Sequence, residues 1–315
     1  MRVSVLAGGL SHERDVSIRS GRRVWESLID AGIDAVVHDV DSDLLGAWYI
    51  EPPVVAIPML HGAAGEDGSL RDVIESLGIE YVGSTPAACR MAFDKPIAKA
   101  IVEAAGIRTP KAVALPHAVF RELGADAVIK TVVEAVGLPI IVKPTKGGSS
   151  LGVSVVQEPR ELASALVAAF AYGDVALIEH FVEGVEVAVS VIERDGAAVA
   201  LPAVEIVPDG GFYNYTARYT AGTTEFFAPA RLSPNVATTV ADVALRAHAA
   251  LGLRDLSRTD LIVDEDGVVW FLEVNVAPGM TETSLFPQSV AAAGLELGVV
   301  LRELVEAAAR RTVQA

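Results

Sequence analysis

The stretch from Ser257 to Asn275, SRTDLIVDEDGVVWFLEVN, constrains this chain more than any other, because two β-prone runs flank a turn pair. Asp266-Gly267 is a favoured two-residue type I′ hairpin loop. With that loop, facing residues have numbers that sum to 533, which sets Asp260 opposite Glu273 and Arg258 opposite Asn275. Alternation then puts these four polar side chains on one face, and Thr259, Leu261, Val263, Trp270, Leu272 and Val274 on the other. Carboxylates directly opposite each other have β-carbons about 4.5 to 5.5 Å apart, which is destabilising unless a positive group lies between them. A divalent cation would meet that need. The candidate ligands are all oxygens, which favours magnesium or manganese over zinc. The plain alternative is a solvated polar face on an amphipathic hairpin. Against it stands the sequel APGMTETS, which brings backbone amides and hydroxyls to the same strand end.

The whole chain, 315 residues long, reads as two or three α/β domains. Residues 2 to 7 form a β-branched run that breaks at Gly8-Gly9, and apolar spacing predicts a helix from about Ser17 to Ala31. A second run, Val54 to Leu60, opens into HGAAGEDGSL, followed by a helix over Leu70 to Leu77 and a short strand over Glu80 to Val82. Residues 1–85 therefore read as an open parallel α/β unit. Residues 86–180 read as a second unit: helices over Pro86 to Ala105 and Ala127 to Val136, strands at Pro139 to Val142 and Val175 to Glu179, and a glycine-serine hairpin in TKGGSSLGVSVV. Residues 181–315 form a third. It holds β-rich runs over Val185 to Ile192 and Ala197 to Ile206, a helix over Pro234 to Leu251, the hairpin and a C-terminal helix.

Composition narrows the function classes. With 51% hydrophobic and 21% charged residues the chain is well cored, and its net charge of −16 repels phosphodiester backbones, so a nucleic-acid partner is not expected. Any bound phosphate needs a local basic pocket. Only six lysines stand against nineteen arginines. Of these, Lys143 ends an apolar strand, Lys95 follows Asp94 at a helix start, and Lys146 lies in the glycine turn, where backbone amides could cradle phosphates. Snorkelling surface lysines are the plain alternative. Glu179 and Glu186 bracket FVEGVE at the boundary of the second and third units, where carboxylates can accept ribose hydroxyls; singly, such residues are more often solvated surface groups. The loop GGFYNYTARY holds three of the six tyrosines and reads as a lid, a docking surface or a packed Ω-loop. The sole cysteine, Cys89, can form no internal disulfide, and no Cys/His spacing suits structural zinc. No apolar run is long enough to cross a bilayer, and the N-terminus meets charge too soon for a signal peptide, so a cytoplasmic location with no membrane partner is expected. AGGLSHE lacks the spacing of a dinucleotide fingerprint, which argues against a nicotinamide oxidoreductase.

Taken in order, LAGGLSHERDVSIRSG, LHGAAGEDGSL, VKPTKGGSSLGVSVV, FYNYTARY and LEVNVAPGMTETSLFP resemble the D-alanine:D-alanine ligase family of the ATP-grasp superfamily, from Leu6 to about Leu304. The resemblance implies an α/β (α+β) fold in a three-domain ATP-grasp architecture, with ATP between the central and C-terminal domains. It implies ADP-forming ligation of two D-alanines through an acyl phosphate, for peptidoglycan precursor synthesis, in a homodimer. By the same resemblance, Lys95 and Lys143 contact nucleotide phosphates, with Arg218 contributing charge from the closing loop. Glu179, the Val182 backbone and Glu186 hold adenine and ribose, while Asp260, Glu273 and Asn275 bind two magnesium or manganese ions. Glu13 receives the first D-alanine's ammonium, supported by Ser149 and Tyr219, with His61 beside that pocket. Arg258 and the Gly279 amide stabilise the oxyanion, and Ser284 with the Leu285 backbone holds the second substrate's carboxylate. Departures from the family pattern at His180, Arg218, Val276-Ala277 and Thr259 leave room for substrate drift, whereas Tyr219 favours an amine as second substrate. Another ATP-grasp amino-acid ligase and a nucleotide-binding module without turnover are the rival readings.

Overall fold

The computed structural model describes residues 1–148, 150–209 and 222–311, so Ser149, Arg218 and Tyr219 lie outside the described residues. Strands β1 (Arg2–Ala7), β2 (Asp34–Asp39), β3 (Val55–Pro58) and β4 (Glu80–Tyr81) form a parallel sheet in the order β2-β1-β3-β4. Its helices are α1 (Arg14–Asp30), α2 (Leu44–Ile50), α3 (Ala63–Glu66) and α4 (Ser69–Ser76). Both faces are covered, which is why β3 is an unbroken buried run. Val3 and Val5 pack with Val24 and Leu28 of α1, whereas Leu6 and Ala56 pack with Trp48 and Ile74. The loops that follow β1 and β3, at the carboxyl edge of the sheet, carry Glu13 and His61.

Helices α5 (Pro86–Phe93) and α6 (Lys95–Ala104) replace the single helical run expected there. Asp94 between them is extended (φ −91°, ψ 100°), its carboxylate caps the Ile97 N–H at 3.3 Å, and Pro96 occupies the first turn of α6. A proline at that position is tolerated only at a helix start, so the chain must break before it. Next come β5 (Ala112–Pro116), α7 (His117–Leu123), α8 (Ala125–Val136), β6 (Ile140–Pro144), β7 (Ser154–Val156), α9 (Leu162–Phe170) and β8 (Val175–His180). They form an antiparallel sheet, β5-β8-β6-β7, buried under α8 and α9.

The third sheet contains β9 (Val185–Arg194), β10 (Ala197–Ala200), β11 (Val204–Pro208), β12 (Thr224–Phe227), β13 (Leu256–Val263) and β14 (Val269–Asn275), in the order β12-β11-β9-β13-β14 with β10 beside β9. Helices α10 (Pro234–Ala250), α11 (Leu285–Ala292) and α12 (Leu297–Arg311) complete it. Ala88, Cys89, Ala98 and Val102 of α5 and α6 are buried against Val187, Leu261 and Phe271 of this sheet. Val300, Leu301 and Leu304 of α12 return to the first sheet, beside Val3 and Val5.

The β13–β14 hairpin departs from expectation at its turn. Asp264 N–H bonds Val268 O and Gly267 N–H bonds Asp264 O, both at 3.0 Å, so the loop has three residues, with Gly267 at φ +77°. The Asp264 carboxylate holds it there by accepting from Asp266 N, Val268 N and Trp270 Nε1 at 2.8 to 3.1 Å. Near the turn, Val263 faces Val269 and Leu261 faces Phe271. A bulge then intervenes, with Leu272 the additional residue, and restores the expected pairs Asp260 with Glu273 and Arg258 with Asn275. Val269 and Phe271 therefore fill the core, and the placement of Trp270 and Leu272 on the core face is corrected: Leu272 lines the cleft described below.

Candidate active site

A cleft of about 590 Å³ opens between the second and third sheets, of a size suited to a nucleotide. Lys95, Lys143, Glu179, Val182, Glu186, Asp260 and Glu273, all singled out by the sequence, line it. So do Gly147 and Gly148 in the β6–β7 turn. Asn275 lies two residues beyond Glu273, its Oδ1 accepting the Ala277 N–H at 2.7 Å.

The positive groups required by two facing carboxylates are supplied by the chain itself. Arg258 pairs with Asp260 through two parallel bonds, Nε to Oδ1 at 2.7 Å and Nη2 to Oδ2 at 2.8 Å, as residues two apart on one strand face can. Lys95 Nζ is 3.1 Å from Glu273 Oε2 and donates to Gly147 O at 2.6 Å. Glu179, 1% exposed, lies between two lysines: Lys143 Nζ at 2.5 Å from Oε1 and Lys99 Nζ at 2.7 Å from Oε2. Burial alone would raise the Glu179 pKa, but the two ammoniums hold it below the ordinary carboxylate value. Among the described residues no group of three or more His, Cys, Asp or Glu could hold an ion alone. Two carboxylates and one amide oxygen do fit magnesium or manganese, whose shells take substrate phosphates and water as well.

On the first sheet, Glu13 precedes α1, and its backbone N–H donates to Ser11 Oγ at 3.2 Å. A Cβ built on Gly62 would be 3.2 Å from Glu13 Oε2, so the two loops touch at this carboxylate. His61 is buried, with Nδ1 3.1 Å from Ala277 O and Nε2 3.2 Å from Ser20 Oγ, which itself accepts the Met280 N–H at 3.1 Å. These contacts specify one proton arrangement: Ser20 O–H donates to Nε2, and Nδ1–H donates to Ala277 O. Burial lowers the imidazole pKa, with Glu13 acting in the opposite direction, so the ring is neutral. His61 thus joins α1 to the segment after β14. Ser20→Ala strips partners from His61 Nε2 and Met280 N–H and should lower stability by about 1–3 kcal/mol in urea melts. Unchanged melts would mean this chain of bonds carries no stability.

Ser284 precedes α11; its hydroxyl accepts the Thr281 N–H at 2.9 Å and meets Thr281 Oγ1 at 2.8 Å. Leu285 begins that helix, whose first backbone amides favour an anion. A Cβ on Gly279 would approach Ser284 Oγ to 2.8 Å. Gly279→Ala must therefore displace the Ser284 hydroxyl; if that hydroxyl holds the second substrate's carboxylate, as the family resemblance implies, a loss of about tenfold or more in kcat/KM for that amine is expected at nearly unchanged stability. Steady-state kinetics with an intact amine response would rule out this crowding as functional.

Three features of the site escaped the sequence. Lys99, one helical turn after Lys95, reaches Glu179; the i, i+4 spacing in DKPIAK was the available signal. Glu66 is buried, accepts the Gly62 N–H at 3.1 Å and has its pKa pushed up to about 7, first by burial and then by Glu13. Glu205 and Arg231 form a cleft wall through a bond of 2.9 Å, with Arg231 over the Phe227 ring at 3.6 Å; pairing at that separation leaves no local pattern.

A glycine turn and lysines over a cleft between two antiparallel sheets, with facing carboxylates in its lining, together with the likenesses that follow, place the chain among the ATP-dependent ligases of the ATP-grasp class. Residues 101–306 match the family model described as D-ala D-ala ligase C-terminus. The chain belongs to the D-alanine–D-alanine ligase family. A D-alanine--D-alanine ligase from Anaeromyxobacter dehalogenans (strain 2CP-C) is 40% identical over 308 residues, covering 98% of this chain and 97% of that protein. The ligase of that name from Citrifermentans bemidjiense is 40% identical over 307 residues, with coverages of 98% and 96%. Among solved structures, a D-alanine--D-alanine ligase from Bacillus anthracis has a TM-score of 0.84 at 32% identity, covering 100% of this chain and 99% of that one. A D-Ala:D-Ser ligase from Enterococcus faecalis has a TM-score of 0.83 at 27% identity, with coverages of 97% and 98%. No helix among the described residues is long and apolar enough to cross a membrane.

Proposed function

We propose that the chain joins two D-alanines into D-alanyl-D-alanine at the expense of ATP, for peptidoglycan precursor synthesis in the cytoplasm, as a homodimer. The observation that carries this reading is the pair Asp260 and Glu273, facing each other in the lining of a cleft that also presents Lys95 and Lys143. The chain divides into units 1–85, 86–180 and 181–315. The first D-alanine binds between the first unit and the carboxyl end of β14, and ATP binds between the second and third.

A carboxylate is a poor electrophile because its negative charge repels a nucleophile. Transfer of the γ-phosphoryl group to the first D-alanine's carboxylate forms an acyl phosphate and ADP. The second D-alanine's amine attacks that carbonyl, phosphate leaves, and the amide forms. Lys95, Lys143 and the turn amides at Gly147-Gly148 neutralise and orient the phosphates, and Arg218 contributes a further positive charge. The Val182 backbone and Glu186 hold the adenosine, beside Glu179. Glu13 orients the first ammonium, supported by Ser149 and Tyr219, with His61 beside that pocket. Arg258 and the Gly279 N–H receive the oxyanion, while Ser284 and the Leu285 N–H hold the second carboxylate. Asp260, Glu273 and Asn275 would hold two magnesium or manganese ions, which when bound supply charge neutralisation at the phosphoryl oxygens. Exclusion of water protects the acyl phosphate from hydrolysis.

The test is phosphate release from ATP and magnesium with D-alanine, L-alanine, D-serine or D-lactate, with product masses determined. A dialanine product formed fastest from D-alanine is expected. A higher kcat/KM with D-serine as second substrate, the specificity in the name of the Enterococcus faecalis neighbour, would reassign the amine site.

A further inference from the structure

The Lys99–Glu179–Lys143 cluster has a division of labour that nucleotide binding alone does not explain. All three groups are buried, at 4%, 1% and 7% exposure, and the two lysines take one carboxylate oxygen each. Together they carry one excess positive charge. Of the three, Lys143 and Glu179 line the cleft. Lys99 approaches from α6 and is anchored a second time by donating to Pro110 O at 2.9 Å. An anionic phosphate entering the cleft competes with Glu179 for Lys143. If Lys143 were the carboxylate's only partner, its departure would leave a lone buried anion, whose cost would oppose nucleotide binding. We propose that Lys99 is the standing counterion of Glu179: it keeps the carboxylate paired when a nucleotide phosphate draws Lys143 away, so that Lys143 is free to move. Lys99 is thus a positioning residue for ATP, acting through Glu179. This rests on the reading of Lys143 as a phosphate ligand.

The experiment compares wild type, Lys99→Met, Lys143→Met, Glu179→Gln and Lys99→Met/Glu179→Gln, by ATP KM and kcat at saturating D-alanine, with thermal melts of each. Lys99→Met should raise the ATP KM about tenfold or more, with kcat and the D-alanine KM values changed far less. Adding Glu179→Gln to Lys99→Met should lower the ATP KM again, because the competing anion is gone. An ATP KM unmoved by Lys99→Met, or raised further in the double variant, overturns the proposal. Should Lys99→Met fail to fold, the double variant, which removes the Lys99 and Glu179 charges together, is compared with Glu179→Gln, in which Lys143 has likewise lost its carboxylate partner. Equal ATP KM values are expected, and a higher value in the double variant overturns the proposal. An ATP KM unmoved by Lys143→Met instead removes the phosphate reading itself, and the proposal with it.

Discussion

Glu273→Gln should lower kcat for ATP-dependent dipeptide formation by about a thousandfold, roughly 4 kcal/mol in the barrier, while leaving the protein folded. The amide keeps the shape of the side chain and removes its charge. In the folded chain that charge faces Asp260 across the strands and lies 3.1 Å from Lys95 Nζ. Lys95 retains its bond to Gly147 O, so the loss falls on the charge balance at the phosphoryl group more than on packing. Glu273 is one-quarter exposed, which limits the effect on stability. Phosphate release and a thermal melt measured on the same preparation decide the matter; near-normal turnover would remove Glu273 from the metal assignment.

The second large effect is a pH dependence of stability. The Glu66 carboxyl has its pKa raised from 4.5 to about 7, by burial first and by Glu13 second. The native state therefore holds this proton more tightly than the unfolded chain does. The stability linked to it is fully present below about pH 4.5 and is lost as pH rises to about 7, reaching roughly 3 kcal/mol at 1.4 kcal/mol per pKa unit. Glu66→Gln keeps an oxygen to accept the Gly62 N–H and removes the titration. Urea unfolding of both proteins at pH 5 and pH 8, without nucleotide or divalent ions, should show the variant gaining on wild type by about 2.5 kcal/mol, the remainder being lost already below pH 5. A stability difference that does not change with pH would contradict it.

The hairpin shows how a site can be legible when its geometry is not. The strand pairing expected from a two-residue turn places Asp260 opposite Glu273, and the structure does the same. It arrives there by a three-residue turn and a compensating bulge at Leu272. Two departures of one residue each cancel at the carboxylates but not between them, where Phe271 takes the core position and Leu272 faces the cleft. Residue types mark a turn, but they do not count its residues when a nearby carboxylate such as Asp264 can cap three amide and indole N–H groups.

From sequence alone came the α/β class, the family, the strands β1, β6, β8 and β9 with the helices around them, and seven of the residues that line the cleft: Lys95, Lys143, Glu179, Val182, Glu186, Asp260 and Glu273. These depend on residue type, periodicity and motif order, which are local properties. Tertiary structure alone decided that Lys99 reaches Glu179, that Ser20 and His61 tie α1 to the segment after β14, and that Glu66 is buried beside Glu13. It also decided that α5 and α6 pack on the third sheet and α12 on the first. The reason is physical: burial, desolvation and ion pairing depend on what lies within a few ångströms in space, and residues 80 positions apart, such as Lys99 and Glu179, carry no local mark of meeting.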